Sequence, residues 1–334
     1  MAKADTPTRM RESNSVELPW LDPVMQRVAQ AQQQDRVASA YMLSGPLGSG
    51  VEWLAERIVA LLMCEHPQNT RACGVCAGCH LVQADTHPDV EWVRPHQDGH
   101  PIKVDQIRRL IERLEQTAQY QRYRCVVLEP AEALNVPASN SLLKVLEEPG
   151  ERVVFLLVSH YPNRLLPTVR SRCQSLQIAM PTDQEAQDWL RTQDSGHSTA
   201  ERIERAWQWS VRSPRSALDL LQSDELDQLE SVANQWQAMA QTGDCADWVK
   251  LADTHGVDWA LERVHRLVWL QLESLSTNDE KAAQWHWLHD QLVDLKRLRV
   301  SGVNLNVALM WEKLAVDWFR LNQKSLALTV SFSD

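Results

Sequence analysis

Four cysteines, Cys64, Cys73, Cys76 and Cys79, fall within one short turn-rich stretch ending in RACGVCAGC. In a chain read as cytosolic, thiols stay reduced, so clustered cysteines point to a metal and not to disulfides. Two overlapping C-x-x-C turns bring thiolates together, and Cys64 supplies a fourth from the end of the preceding helix. Four sulfurs close a tetrahedral Zn²⁺ shell and leave no open position, so the expected role is structural. His66 and His80 are alternative ligands, more simply read as surface side chains. Cys125 and Cys245 read as small buried hydrophobes.

A second constellation is GPLGSGVE, residues 45–52, which has the frame G-x-x-x-x-G-K-[ST] of a phosphate-binding loop. Gly45 and Gly50 keep the frame, but Val51 stands where the lysine belongs and Glu52 where a hydroxyl would hold Mg²⁺. Valine neutralises nothing, and the Glu52 carboxylate would repel a triphosphate, so ATP binding here is not expected. A strand-like run, CVVLEP, repeats the pattern. Where an active nucleotidase carries two acids it reads Glu129-Pro130, with Glu132 displaced by two positions. Glu129 is expected to be a solvated strand-end carboxylate. Two separate catalytic elements are therefore altered in one chain.

Elements must hold these residues in place. YMLSG (41–45), CVVLEP (125–130) and VVFLLVS (153–159) are short apolar runs separated by amphipathic stretches such as VEWLAERIVALLM and IRRLIERLEQTA. Buried strands alternating with helices predict a parallel sheet covered on both faces, an α/β module spanning 19–180 with the cysteine cluster as an insertion at 64–79. A hairpin-like stretch, HPDVEWVRPHQDGHPIKV, lies between. A helical domain is expected over 181–225, opening at MPTDQEAQDWL with Thr182 as cap. An all-helical domain is expected over 226–334, where apolar residues recur at three- and four-residue spacing. Residues 1–18 mix charges with polar groups and are expected to form a disordered lead-in, not a secretory signal.

Composition excludes several classes. With 334 residues, two or three domains are expected, and no apolar run is long enough for a membrane span. A net charge of −10 disfavours nucleic acid as the primary partner of the lone chain. Ten of the 14 tryptophans lie beyond residue 200, where packing between helices accounts for them.

Further blocks carry a resemblance. The altered loop is followed by C-x8-C-x2-C-x2-C, then IKVDQIRRL (102–110), SNSLLKVLEEPGE (139–151) and NRLLPTVRSRC (163–173). Together they resemble the clamp-loader branch of the AAA+ family, and within it the delta-prime subunits of bacterial DNA polymerase III. The resemblance covers most of the chain, although Ser39-Ala40 replaces the family's histidine-alanine and the last third matches only in length and helical pattern. Read from the residues alone, Leu142, Leu143 and Leu146 form one face of a core helix that Pro149 ends.

The resemblance implies an AAA+ α/β module, a helical lid and a collar through which subunits assemble, with tryptophans helping to bury partner helices. It implies that Arg172 of Ser171-Arg172-Cys173 is an arginine finger acting in trans on a neighbour's ATP, with Arg170 close enough to share the role. Ser159 would stand where relatives sense the phosphate end, though with no cis nucleotide it reads more simply as a strand-end serine. Arg215 in RSPRSAL would stand where active relatives contact nucleotide in cis, a role expected to be vestigial here. It implies no intrinsic catalysis and a cytoplasmic location in the replisome. Implied partners are gamma/tau-like motor subunits and a delta-like subunit, with the sliding clamp and primed DNA met through the complex. Two other readings stay open: an ATP-binding motor subunit with a variant loop, and a zinc-dependent nucleic-acid binder using the basic IRRLIER and LKRLR segments.

Overall fold

The structure is a computed structural model that describes residues 18–330, apart from 98, 115–121, 195–196, 211, 245, 275–281 and 301–305. Cys245 and all of the expected lead-in except Leu18 lie outside the described residues. Leu18 itself is 1% exposed and belongs to the core.

The chain divides into two compact units, Met1–Trp189 with Ser213–Arg215, and Leu190–Arg212 with Ser216–Asp334. The first is built on a five-stranded sheet: β1 (Ala40–Ser44), β2 (Val90–Val93), β3 (Arg124–Leu128), β4 (Val153–Ser159) and β5 (Gln174–Gln177). Their order is β2-β3-β4-β1-β5, and every pairing is parallel. β3 and β4 read as unbroken apolar runs because each is buried on both faces.

Alternation along the strands sorts their side chains. Ala40, Met42, Val126, Leu128, Phe155 and Leu157 form one core with α4 (Val104–Leu114), α5 (Val136–Glu147) and α6 (Pro167–Arg170). Helix α2 (Val51–Met63) packs against β1, β3 and β4, and ten of its residues are buried. A short α1 (Asp22–Gln33) packs against α2, and α3 (Ala77–Gln83) carries Cys79, with Cys76 as its N-cap. The expected parallel sheet with helices on both faces, a cysteine-cluster insertion and a helical remainder is what the chain forms.

Two edge strands depart from expectation. The hairpin-like stretch contains β2, which pairs parallel to β3 and therefore is not one arm of a hairpin. β5, QSLQ, was not legible because only Leu176 of its four residues is buried. α7 (Asp183–Gln193) opens with a capping box: Thr182 N–H donates to Glu185 Oε2 at 2.8 Å, and Glu185 N–H donates to Thr182 Oγ1 at 3.3 Å.

The second unit is helical, from α8 (Ala200–Trp209) and α9 (Pro214–Leu221) through α10 (Glu225–Thr242), α11 (Ala246–His255), α12 (Val257–Ser274), α13 (Ala282–Val300) and α14 (Val307–Val330). Its core holds Trp236, Trp248, Trp311 and Trp318, with Trp236 and Trp248 edge to face at 5.7 Å and Trp248 and Trp311 at 5.4 Å. These four are buried inside their own chain, as expected of tryptophans that pack between helices; Trp287, 39% exposed, is not enclosed in this way. No helix among the described residues is long and apolar enough to cross a membrane.

Candidate functional site

The phosphate loop lies between β1 and α2, the position a working loop requires. Gly50 caps α2 at φ 88°, a left-handed conformation that favours glycine. Around it the chain is closed by its own residues. A Cβ on Gly50 would meet Leu18 Cδ1 at 2.5 Å, and one on Gly48 would meet Ser213 Oγ at 1.7 Å. Trp20 Nε1 donates to the Ser49 carbonyl at 2.8 Å. Val51 is fully buried, its Cγ2 against Gly45. A side chain meant to reach phosphates cannot be sealed in this way.

Glu52 lies in the first turn of α2, where the helix dipole favours an anion. His160 bridges it to the loop: Nε2 is 2.7 Å from Glu52 Oε1, and Nδ1 is 3.1 Å from the Gly45 carbonyl. The hydrogen bond with Glu52 raises the His160 pKa above its ordinary value, against the opposing effect of burial. The loop thus carries its own carboxylate at the helix terminus and its own counter-charge. Arg215, which by resemblance would contact a nucleotide, stacks its guanidinium on the Trp53 ring at 4.8 Å.

Beside the loop a cavity of about 700 Å³ includes Glu52, Glu129, Glu132, Arg94 and His160 in its lining. Its acids are engaged by protein. Glu129 is only 7% exposed and accepts from Arg94 Nε at 2.9 Å and Nη2 at 2.6 Å. The expectation of a solvated Glu129 is therefore wrong; nothing in its own segment reveals an arginine 35 residues upstream. Glu132 Oε1 accepts the N–H groups of His160 and Tyr161 at 3.1 and 3.3 Å. Ser159 is fully buried, and its Oγ has no hydrogen-bond partner among the described residues.

The four clustered cysteines converge. Their sulfurs all lie within 4.8 Å of one another, with neither His66 nor His80 in the group. Cys73 and Cys79 sulfurs are 4.0 Å apart, near the ~3.8 Å edge of a tetrahedron with ~2.3 Å metal–sulfur bonds. Backbone N–H groups orient them: Cys73 N–H donates to Cys64 Sγ at 3.1 Å, and both Glu65 and Cys79 N–H donate to Cys76 Sγ at 3.4 Å. The Val75 N–H, first among several donors, draws the Cys73 thiol down to about 6, whereas burial pushes Cys64 and Cys79 up. Gly78 permits the close approach, since a Cβ there would lie 2.4 Å from the Met63 carbonyl. Four thiol donors, their spacing and the backbone N–H groups that orient them fit a closed four-coordinate metal. Cys125, by contrast, is fully buried in β3, and burial raises its thiol pKa.

The Ser-Arg-Cys segment follows α6 as a pinned turn. Ser171 Oγ donates to the Thr168 carbonyl at 3.1 Å, and Cys173 packs against the sheet core with its thiol on the Val169 carbonyl. Burial raises Cys173 to about 11, so it is a packing residue and not a nucleophile. Between these anchors Arg172 points outward, 33% exposed, and pairs with Glu147 at the end of α5. Arg170 is committed elsewhere, to Asn163 Oδ1 at 3.3 Å. The sequence singles out the loop, the cysteines and Arg172 as candidates, but not Leu18, Trp20, Trp53, His160, Ser213 or Glu147, which the structure sets against them. Leu18-Pro19-Trp20, an apolar run just ahead of α1, is the one legible signal among them.

Comparison with known proteins bears on this arrangement. Residues 20–182 match the family described as "DNA polymerase III, delta subunit". A DNA polymerase III subunit delta' from Pseudomonas aeruginosa is 34% identical over 323 residues, covering 91% of this chain and 97% of that one. The Escherichia coli protein of the same name is 33% identical, covering 77% and 75%. Among solved structures, a DNA polymerase III gamma subunit-related protein from Thermotoga maritima aligns with 90% of this chain and 99% of its own, at 16% identity and a TM-score of 0.49.

Proposed function

This chain belongs to the delta' family of DNA polymerase III subunits, and on that premise we propose that it is the clamp-loader subunit that hydrolyses no ATP itself and lends Arg172 to a neighbour's ATP. The observation that carries this reading is the closed loop. Val51 is sealed in the core and Glu52 is held by His160, so neither the charge nor the metal-binding hydroxyl of a nucleotide site is present. The glycines persist because the turn into α2 and the contacts at Gly48 and Gly50 still demand them.

In this proposal residues 19–180 form the AAA+ module, 181–225 the lid and 226–334 a collar that assembles with gamma/tau-like and delta-like subunits. The four-cysteine cluster holds a structural Zn²⁺ that braces α3 on the module, which elemental analysis should find at one per chain. The pinned turn presents a planar, permanently charged guanidinium at the surface, suited to the phosphates of a bound triphosphate. Assembly in the bacterial cytosol would couple a neighbour's hydrolysis to release of the sliding clamp on primed DNA.

The test is reconstitution of the loader with wild-type chain or the Arg172→Ala variant. Assembly should be unchanged, and ATPase and clamp loading should fall at least tenfold, a floor set below the roughly 10³–10⁵ that an arginine finger supplies at a single site. Unchanged loading rates would remove the trans role. Micromolar affinity of the isolated chain for Mg-ATP would sink the non-hydrolysing reading.

A further inference from the structure

The contacts of Arg172 within its own chain have a consequence for assembly. A guanidinium reads a phosphate through one of its forked N–H edges. In this chain the Nε/Nη2 edge is already occupied: Nε donates to Glu147 Oε1 at 2.8 Å, and Nη2 donates to the same oxygen. Nη1 donates to the Thr168 carbonyl at 2.8 Å, which fixes the plane of the fork. Glu147 therefore stands where an anionic ligand of the finger would stand, with the same sign of charge and a similar oxygen.

The contact is also exchangeable. The arginine is 33% exposed and the glutamate 50%, so water competes for both, and exposed pairs of this kind hold only weakly. The Thr168 contact needs no breaking, because that carbonyl lies on the other side of the fork. The geometry differs from the pair Arg94–Glu129, whose carboxylate is buried and which serves packing.

We propose that Glu147 is a latch for Arg172: it parks the finger in the unassembled chain and surrenders it to the phosphates of a nucleoside triphosphate on the adjoining subunit. The inference rests on the trans role proposed above for Arg172. The latch competes with the neighbour's nucleotide for one guanidinium edge, so it lowers the fraction of chains ready to engage. Its removal should help the neighbour, an effect that a residue serving only the fold would not produce.

The test uses the reconstituted loader with Glu147→Gln, Arg172→Ala and the double variant, measuring kcat/KM for ATP. Glu147→Gln keeps the side chain's shape and removes its charge. We expect kcat/KM to rise about two- to fivefold, a change of about 0.4–1 kcal/mol, with the melting temperature of the isolated chain falling by no more than about 2–4 °C. In the double variant the gain should vanish and the rate should equal that of Arg172→Ala alone. If Arg172→Ala lowers the rate but Glu147→Gln leaves it unchanged or lowers it, the latch is overturned and the finger stands. A gain that persists without Arg172 also overturns the latch. If Arg172→Ala has no effect, the finger itself fails, and the latch falls with it.

Discussion

The phosphate loop and the Ser-Arg-Cys turn belong to the same α/β unit, yet their key side chains are committed in opposite ways. At the loop, Ser49 and Val51 are fully buried, and Glu52 is tied to His160, whose side chain is only 10% exposed. At the turn, Arg172 and Glu147 face solvent and hold each other by a contact that water can loosen. The positions that a cis nucleotide would need are taken up by packing and by an internal hydrogen bond. The position whose ligand would arrive on another subunit has been kept at the surface. On the proposed reading, a fold can outlast the loss of its ligand, provided that side chains fill what the ligand would have filled.

The largest effect is expected from trying to reopen the loop. The Val51→Lys variant restores the motif on paper but places an ammonium where no water reaches. Isolated buried charge costs several kcal/mol, so unfolding in urea should show a loss of about 4 kcal/mol with no Mg-ATP binding gained. A variant as stable as wild type that binds ATP would mean the loop is merely dormant, and the contrast with the turn would collapse.

A smaller loss tests the contact at the loop's other side. Gly48 has φ 75° and Ser213 Oγ lies 1.7 Å from where a Cβ would sit. Gly48→Ala adds left-handed strain and overpacking, about 2–3 kcal/mol together. If the variant's unfolding midpoint is unchanged, Ser213 does not close the loop as described.

The pair Glu52–His160 should show itself through pH. His160 has a raised pKa in the folded chain, first because of its hydrogen bond with Glu52, while the unfolded value stays near 6.5. A raised histidine stabilises most fully below the unfolded value, and that contribution is lost as pH rises through the folded one. The stability gap between wild type and His160→Gln should therefore be about 1 kcal/mol near pH 6 and shrink toward alkaline pH. A gap independent of pH would indicate that the imidazole contributes by shape alone.

These tests also mark where the sequence was readable. β3 and β4 could be read because burial on both faces leaves continuous apolar runs, and the cysteines and loop glycines because their chemistry is fixed by type and spacing. β5 escaped because an edge strand with one buried residue carries no such run. The partners that close the loop escaped for a different reason. His160 lies 108 residues from Glu52, and Glu147 lies 25 from Arg172, so only the folded topology brings each pair together. Glu129 shows the hazard directly: its segment suggested solvent, and the sheet instead delivered Arg94.

The smallest effect is the one that defines the other side of the comparison. Arg172→Ala in the isolated chain removes an exposed ion pair and one hydrogen bond to the Thr168 carbonyl, which Ser171 Oγ still supplies with a donor. Neither group is left buried without a partner, so the desolvation penalty that makes the loop variants costly does not arise. The expected loss of unfolding free energy is about 0.5 kcal/mol or less, and a double-mutant cycle with Glu147→Ala should give a coupling of about 0.2–1 kcal/mol. Set beside the loss of neighbouring ATPase expected from the same substitution, this would separate a residue kept for a partner from one kept for the fold. A loss of 2 kcal/mol or more would place Arg172 with Val51 as a structural residue, and the distinction between the two regions would fail.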